Sequence, residues 1–363
     1  MAARRVFILG AGFSKQAGMP LAADIALLIL EQFCNHNRYE REEAIAWSSN
    51  IRDRLGWLYR QQNGVLTSIN FEMIFDLARL DIEKWLMDDQ ISNRTSAIRV
   101  KHCKIAEHID AWLQELEETL QSVIWQKQRE AQLHLEAISN FTKILRPEDT
   151  ILTFNYDTLV EDSLTTQQKP WSHGFACEQT GGTKILKMHG SINWLIKLKN
   201  EHHCLNDGTL LFSEDNRNYP NRSEFYELIR IPFDRMGEFV DRATWQETFY
   251  EIGLAPLGMH KPLDYLPGSN EVWFNAKEAI ENAEELCVVG FSFSSFDTQA
   301  RLYFAGVMCE RAKHENLPKM ITIIDPDADS LLLNFRSVFG HYTPISIYAQ
   351  YAENVNWCNV LLR

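Results

Sequence analysis

An apolar run that breaks at once into two glycines opens this chain, and no other stretch limits its fold as much. Val6 to Leu9 reads as a strand buried on both faces, the kind found inside a parallel sheet. It stops at Gly10-Ala11-Gly12, where the missing side chains allow a tight turn and a close backbone approach. A helix starting there would aim its unpaired N–H groups at a phosphate. The common dinucleotide fingerprint wants a third glycine at position 15, where this chain has Lys15; the next glycine is Gly18. The stretch therefore fits either a phosphate-holding turn or a plain strand-to-helix connection.

The 363 residues, 45% of them hydrophobic and 23% charged, allow one large folded domain or two ordinary ones. A net charge of -13 argues against direct nucleic-acid binding, which needs a basic face. Seven cysteines, odd in number, irregularly spaced and without a CxxC pair, suit free thiols in a reducing compartment. Arg4 and Arg5 before the apolar run imitate a leader peptide, but Gly10, Gly12 and Lys15 interrupt it. No apolar stretch approaches membrane-spanning length. The expectation is a cytoplasmic chain with no membrane partner.

Pro20 and Leu21 open a helical pattern with Ile25, Leu28 and Ile29 on one side. Ser68 or Asn70 could cap a second helix whose inner stripe is Phe71, Ile74, Phe75, Leu77 and Leu80. Ile105, Ile109, Trp112, Leu113, Leu116, Leu120, Val123 and Ile124 trace a third, and Leu133 to Leu145 a fourth that ends before Pro147. Residues 26–145 thus read as a mostly helical insertion between two strands. Residues 196–270 carry weak periodicity and many turn formers, and read as a loop-rich elaboration. A helix is expected over Val272 to Glu285. Further strands are expected at Ile151 to Phe154, Ile185 to Met188, Leu286 to Val289, Met320 to Ile324 and Ile345 to Tyr348. Short apolar strands separated by helices imply an α/β fold with a Rossmann-like parallel sheet.

In an open parallel sheet, ligands bind beyond the carboxyl ends of the strands. Those ends here offer Gly10 to Ser14, then Asn155, Tyr156 and Asp157, then His189, Gly190 and Ser191. They continue with Gly290, Phe291, Ser292, Phe293 and Ser294, with Asp297 close behind, and finish at Asp325. Asp325 suits either a ribose diol or the cap of a helix opened by Pro326. Ser292 and Ser294 suit either a phosphate or a cap. His189 follows the strand KILKM and should project into the crevice. The rival His173-Gly174 follows Pro170-Trp171-Ser172, where no strand is expected. His202, His203 and Cys204, with Cys177 upstream, lack the two ligand pairs of a structural zinc site and read as a solvated loop, so no metal is expected.

GAGFSKQAG, TFNYD, KMHGS and VVGFSFSSFD with IDPD, in this order, resemble the sirtuin-like NAD hydrolases of bacterial anti-phage systems. More distantly they resemble the sirtuins, NAD-dependent protein deacylases. The motifs run from residue 5 to about 327, so the resemblance implies one NAD-binding domain across 1–363. It implies that Asn155 and Asp157 stand near the nicotinamide ribose and that His189 is the catalytic histidine. It implies NAD contacts at Gly10, Ala11, Gly12, Phe13 and Ser14, at Gly290, Ser292 and Ser294, and at Asp325, where the family often has asparagine. The four-cysteine zinc module of the deacylating members is missing, which makes protein deacylation the less favoured activity. The resemblance implies an NAD glycohydrolase that depletes NAD during defence, working as a homo-oligomer or with a second defence protein such as an ATPase or nuclease subunit. An NAD or ADP-ribose sensor subunit is the alternative.

Overall fold

The computed structural model describes residues 4–36, 41–61, 71–91, 113, 116–175, 178, 181–198, 226–231, 250–255, 267–293 and 297–361. Two compact units are present. One takes the chain up to Met19 together with 128–256 and 261–363; the other is essentially 20–127.

The larger unit is built on a seven-stranded sheet. Its strands are β1 (Arg5–Leu9), β2 (Thr150–Thr153), β3 (Trp171–Ser172), β4 (Thr183–Lys187), β8 (Glu285–Val289), β9 (Met320–Ile324) and β10 (Ile345–Tyr348). They lie side by side as β10-β9-β8-β1-β2-β4-β3, and every pairing is parallel. The chain passes from β1 to β2, crosses to the edge strand β3, and comes back to β4 between them. It then returns to the other side of β1 and moves outward again through β8, β9 and β10. The order therefore reverses between β1 and β8, where ligands sit in open α/β sheets.

Alternation along the strands divides the core between the two faces of this sheet. Val6, Ile8, Leu152, Leu186, Leu286, Val288, Ile321 and Ile323 pack in one cluster with residues of helices at Ser269–Asn282, Thr298–Lys313 and Leu332–Phe339. Phe7 faces the other way, edge-on to Phe141 at 5.2 Å, and Phe141 in turn meets Trp357 at 4.9 Å. Helices on both faces cover a sheet whose central strands are apolar on both sides. At the foot of β1 the side chain of Arg5 is buried and paired with both carboxylate oxygens of Asp149, one residue before β2. Arg5 thus ties the central strand to its neighbour.

Six of these strands coincide with the sequence expectation to within two residues at either end. β3 is the added one. A second, antiparallel sheet of order β6-β5-β7 also lies in the larger unit. It consists of β5 (Gly190–Leu198), β6 (Tyr226–Arg230) and β7 (Tyr250–Leu254); β6 and β7 lie within the stretch 196–270 read as loop-rich, and β5 runs into its start. Trp194, Ile196 and Ala255 form its small core. These strands escape a sequence reading because β5 has buried residues on both faces from Ser191 to Leu195, so no clean alternation marks it.

The described part of the smaller unit is helical: Ala22–His36, Arg41–Gln61, Glu72–Ile91 and residues 116–127, the first part of a helix that runs to 131. Ile25, Ile29, Phe71, Ile74, Phe75, Leu116, Leu120, Val123 and Ile124 are buried as their spacing requires. Leu80, assigned to the inner stripe of the helix Glu72–Ile91, is instead 53% exposed. Ser68, Asn70, Ile105, Ile109 and Trp112 lie outside the described residues.

Two glycines separate backbone crowding from helix propensity. Gly290 has φ 59°, and a Cβ there would lie 2.4 Å from the carbonyl carbon of Gly12. Gly306 sits on an exposed helical face, and a Cβ there would meet nothing within 4 Å. Gly290→Ala is expected to lower the unfolding free energy by about 1–3 kcal/mol. Gly306→Ala should raise it by about 0.5–1 kcal/mol. Denaturant titration of both variants checks this, and an unchanged midpoint for Gly290→Ala contradicts the contact.

Candidate functional site

The site begins where the turns after β1 and β8 touch. The Gly12 amide donates to the carbonyl of Gly290 at 3.0 Å, and Gly10 donates to Val289 at 3.0 Å. A Cβ on Gly12 would lie 2.8 Å from the Cα of Gly290. The first structural demand on Gly12 and Gly290 is therefore mutual contact between backbones. The amides of Gly10, Gly12 and Phe13 are hydrogen-bonded to other backbone groups, Phe13 donating to Gly10 at 2.9 Å. Three of the amides expected to face a phosphate are thus engaged within the protein. Phe13, expected to contact the ligand, is fully buried and meets Phe141 edge-on at 5.0 Å, so its side chain anchors the turn from below.

Asn155 reaches this turn from the end of β2. Its side-chain amide donates to the Gly10 carbonyl and to Ser14 Oγ, both at 2.9 Å. Both N–H bonds of the carboxamide are then in use, and Oδ1 is its remaining acceptor capacity. Ser14 is buried and also hydrogen-bonds the carboxyl of Asp157. Asn155, Ser14 and Asp157 thus form one connected group. Burial pushes the Asp157 carboxyl above its ordinary range, more than the Lys187 charge and the Ser14 hydrogen bond draw it down.

His189 lies just past the end of β4 and is buried. Its ring stands edge-on to Phe154 at 4.9 Å, and Phe154 stacks on Phe291 from the β8 turn at 4.2 Å and 8°. Phe291 packs against Phe293, which is buried and held at φ 49° among Phe304, Phe335 and Phe339. These rings root the β8 turn in the core and give His189 a rigid apolar floor. Nε2 of His189 lies 3.6 Å from Oδ1 of Asp297. Asp297 is the N-cap residue of the helix Thr298–Lys313, yet its side chain makes no cap hydrogen bond. An acid at that distance stabilises an imidazolium.

His173 does follow a strand, the short β3, contrary to the sequence expectation. It is buried against Trp194 at 5.2 Å, with Nε2 3.3 Å from Glu161 and Nδ1 accepting from Arg230 at 3.1 Å. Burial lowers its pKa, so at neutral pH it stands uncharged between its two partners. His173 is thus enclosed by Glu161, Arg230 and Trp194.

Of the remaining expected residues, Ser292 is half-buried and its carbonyl accepts from Asn334 at 3.4 Å. Ser294 lies outside the described residues, as do Cys177, His202, His203 and Cys204. Asp325 ends β9, two strands from β1 in the sheet. Its Oδ1 accepts from the Asp327 amide at 2.9 Å in the turn that follows, and burial pushes its carboxyl up. Sequence reading assigned no role to Asp297, Lys187 or Glu161. Lys187 offered a signal, being a charge at the inner end of an apolar strand.

Comparison with known proteins adds the following. The family model described as "SIR2-like domain" matches residues 149–331, which hold Asn155, Asp157, His189, Gly290, Ser292, Asp297 and Asp325. No curated protein matches the chain. Among solved structures, SIR2 in complex with the inhibitor EX-527, 2′-O-acetyl-ADP-ribose and a deacetylated p53 peptide is similar at 9% identity and a TM-score of 0.34. Sir2Tm bound to a propionylated peptide is similar at 9% identity and a TM-score of 0.35. Each alignment covers 96% of this chain and 89% of the other.

Asp162 lies in the helix Leu159–Thr166 that follows the Asn155–Asp157 loop. Its Oδ2 accepts from Gln128, Gln132 and Thr158. Burial lifts its pKa from 3.8 to about 6. A folded-state pKa above the unfolded one means that protonation favours folding. That contribution is complete below the unfolded value and is lost as pH rises through the folded one. Asp162→Asn is therefore expected to leave stability nearly unchanged near pH ~3.5 and to raise it by roughly 3 kcal/mol above pH ~6. Denaturant titrations across that range check the sign. A gain that is independent of pH overturns the assignment.

Proposed function

The chain belongs to the SIR2-like family, and from that premise we propose that it is an NAD glycohydrolase, cleaving NAD to nicotinamide and ADP-ribose or its cyclic form. The observation that supports this most is the junction of strand ends. Asn155 bonds the turn after β1, while His189 sits on Phe154 between the ends of β2 and β4 and faces Asp297.

The bond to be broken explains why these groups suffice. The nicotinamide nitrogen of NAD is already cationic, so it leaves neutral and needs no acid, unlike the oxygen of an ordinary glycoside. The remaining needs are a base, a holder for the ribose and shelter from bulk water. His189 suits the base, since imidazole accepts a proton near neutral pH, and Asp297 would stabilise the resulting cation. Asn155 retains Oδ1 for a water or a ribose hydroxyl. Asp157, tied to Ser14, would orient that group and favour positive charge developing on the sugar. The pyrophosphate would lie along Ala11 to Ser14 and the Gly290 turn, with Asp325 toward the far ribose.

The family resemblance also supports a role in anti-phage defence, with NAD depletion as the output and a homo-oligomer or a second defence protein as the assembly. The absence of any CxxC pair weighs against a zinc-framed peptide groove, and so against deacylation.

Purified protein incubated with NAD, with and without an acylated peptide, is expected to release nicotinamide without the peptide. Asn155→Ala and His189→Ala should each lower that release by roughly a hundred- to ten-thousandfold. Both variants should still bind ADP-ribose, and Asn155→Ala should lose about 1–2 kcal/mol of stability with its two turn hydrogen bonds. His341→Ala, on an exposed turn, is the control. Release that requires the peptide would reassign the chain to deacylation. Tight NAD binding without release under any condition would favour the sensor. Full activity in His189→Ala would remove the histidine from the mechanism.

A further inference from the structure

Lys187 is the last residue of β4 and its side chain is fully buried. A lone ammonium in such a place costs many kcal/mol unless it is paired and hydrogen-bonded. Both conditions are met. Nζ donates to the backbone carbonyl of Asp157 and lies 3.4 Å from Oε1 of Glu161. Glu161 stands in the first turn of the helix Leu159–Thr166, and its carboxylate also meets Nε2 of His173. Burial by itself would raise the Glu161 pKa, but the Lys187 charge and the His173 hydrogen bond more than reverse this, so it is lowered and the group is a carboxylate. His173 is held in turn by Arg230, which pairs with Glu178.

The chain of charges ends on the loop that carries Asn155 and Asp157. That loop belongs to no strand or helix, so its carbonyls need partners from elsewhere. Tyr156 O accepts from the Ile192 amide at 3.0 Å and from Ser191 Oγ at 3.2 Å. Asp157 O accepts from Lys187. Lys187 also lies two residues before His189, and it is opposite Thr153, two residues before Asn155, in the β2–β4 register. One side chain thus connects the ends of both strands that carry the proposed catalytic groups.

We propose that Lys187, clamped by Glu161, is a positioning residue that fixes the Asn155–Asp157 loop against the end of β4 and so sets the geometry of the reacting groups. It touches no substrate and acts through the Asp157 carbonyl. The proposal rests on the hydrolase reading above. It adds residues that reading does not use.

Lys187→Met and the double variant Lys187→Met/Glu161→Gln separate positioning from stability. Lys187→Met leaves a buried carboxylate with one partner fewer and should lower the melting temperature. The double variant removes that unpaired charge and should recover most of the loss. Neither can hold the Asp157 carbonyl. Both are therefore expected to lose roughly a hundredfold in kcat for nicotinamide release, with KM for NAD within about threefold of wild type. Both should also exchange the amides of residues 155–159 faster in the folded protein. If kcat recovers together with melting temperature in the double variant, Lys187 is merely structural and the proposal falls. Unchanged amide exchange also overturns it. A wild type that releases no nicotinamide sinks the hydrolase reading and the catalytic half of this one, whereas the exchange measurement still reports separately on whether Lys187 holds the loop.

Discussion

Everything in the candidate site depends on two turns sharing space that only one side-chain-free backbone each could share. The turn after β1 and the turn after β8 meet at Gly12 and Gly290, joined by an amide-to-carbonyl hydrogen bond, and a Cβ on either residue would fall within 3 Å of the other. This contact lies at the reversal of strand order, where the two halves of the sheet diverge. It brings the residues delivered by β8 next to those delivered by β1. The glycines thus serve the fold before they can serve a ligand, and a substitution at either would disturb both.

Around that contact the site is held by two different means. On the β8 side the holding is apolar: Phe291 and Phe293 root the turn among core rings, and His189 stands on Phe154 within the same aromatic stack. On the β2 side the holding is polar, through Asn155 and Ser14 at the glycine turn and Lys187, Glu161 and His173 behind the loop. The division follows the chemistry each part has to present. A ring needs a firm surface and an orienting charge such as Asp297, whereas an irregular loop needs partners for its carbonyls. Burial raises the pKa values of Asp157 and Asp162, whereas Lys187 and His173 lower that of Glu161.

The parallel sheet was legible in the sequence because its strands are short apolar runs that stop at glycine or polar residues. A run buried on both faces leaves that mark whatever packs against it. The ends of those runs already named Gly10, Asn155, His189, Gly290 and Asp325. The second sheet was not legible, since β5 carries no alternation and β6 and β7 are distant in sequence from it. The short β3 was missed for a related reason. Two residues are too few to carry a pattern, and its pairing with β4 makes it a strand.

What the sequence determined by itself was which residues stand at strand ends, because backbone periodicity and glycine punctuation are local properties. What only the tertiary structure decided was which of those residues touch and what surrounds each. His173 and His189 both precede glycine, and locally only the longer apolar run before His189 separates them. One is enclosed between Glu161 and Arg230, while the other lies on Phe154 facing Asp297, because β3 and β4 lead them into different surroundings. Lys187 reads locally as a charge closing an apolar strand, with nothing nearby in sequence to name its partners. It becomes the brace of the loop only because folding buries it, and a buried ammonium must find a carboxylate and a carbonyl wherever the chain brings them.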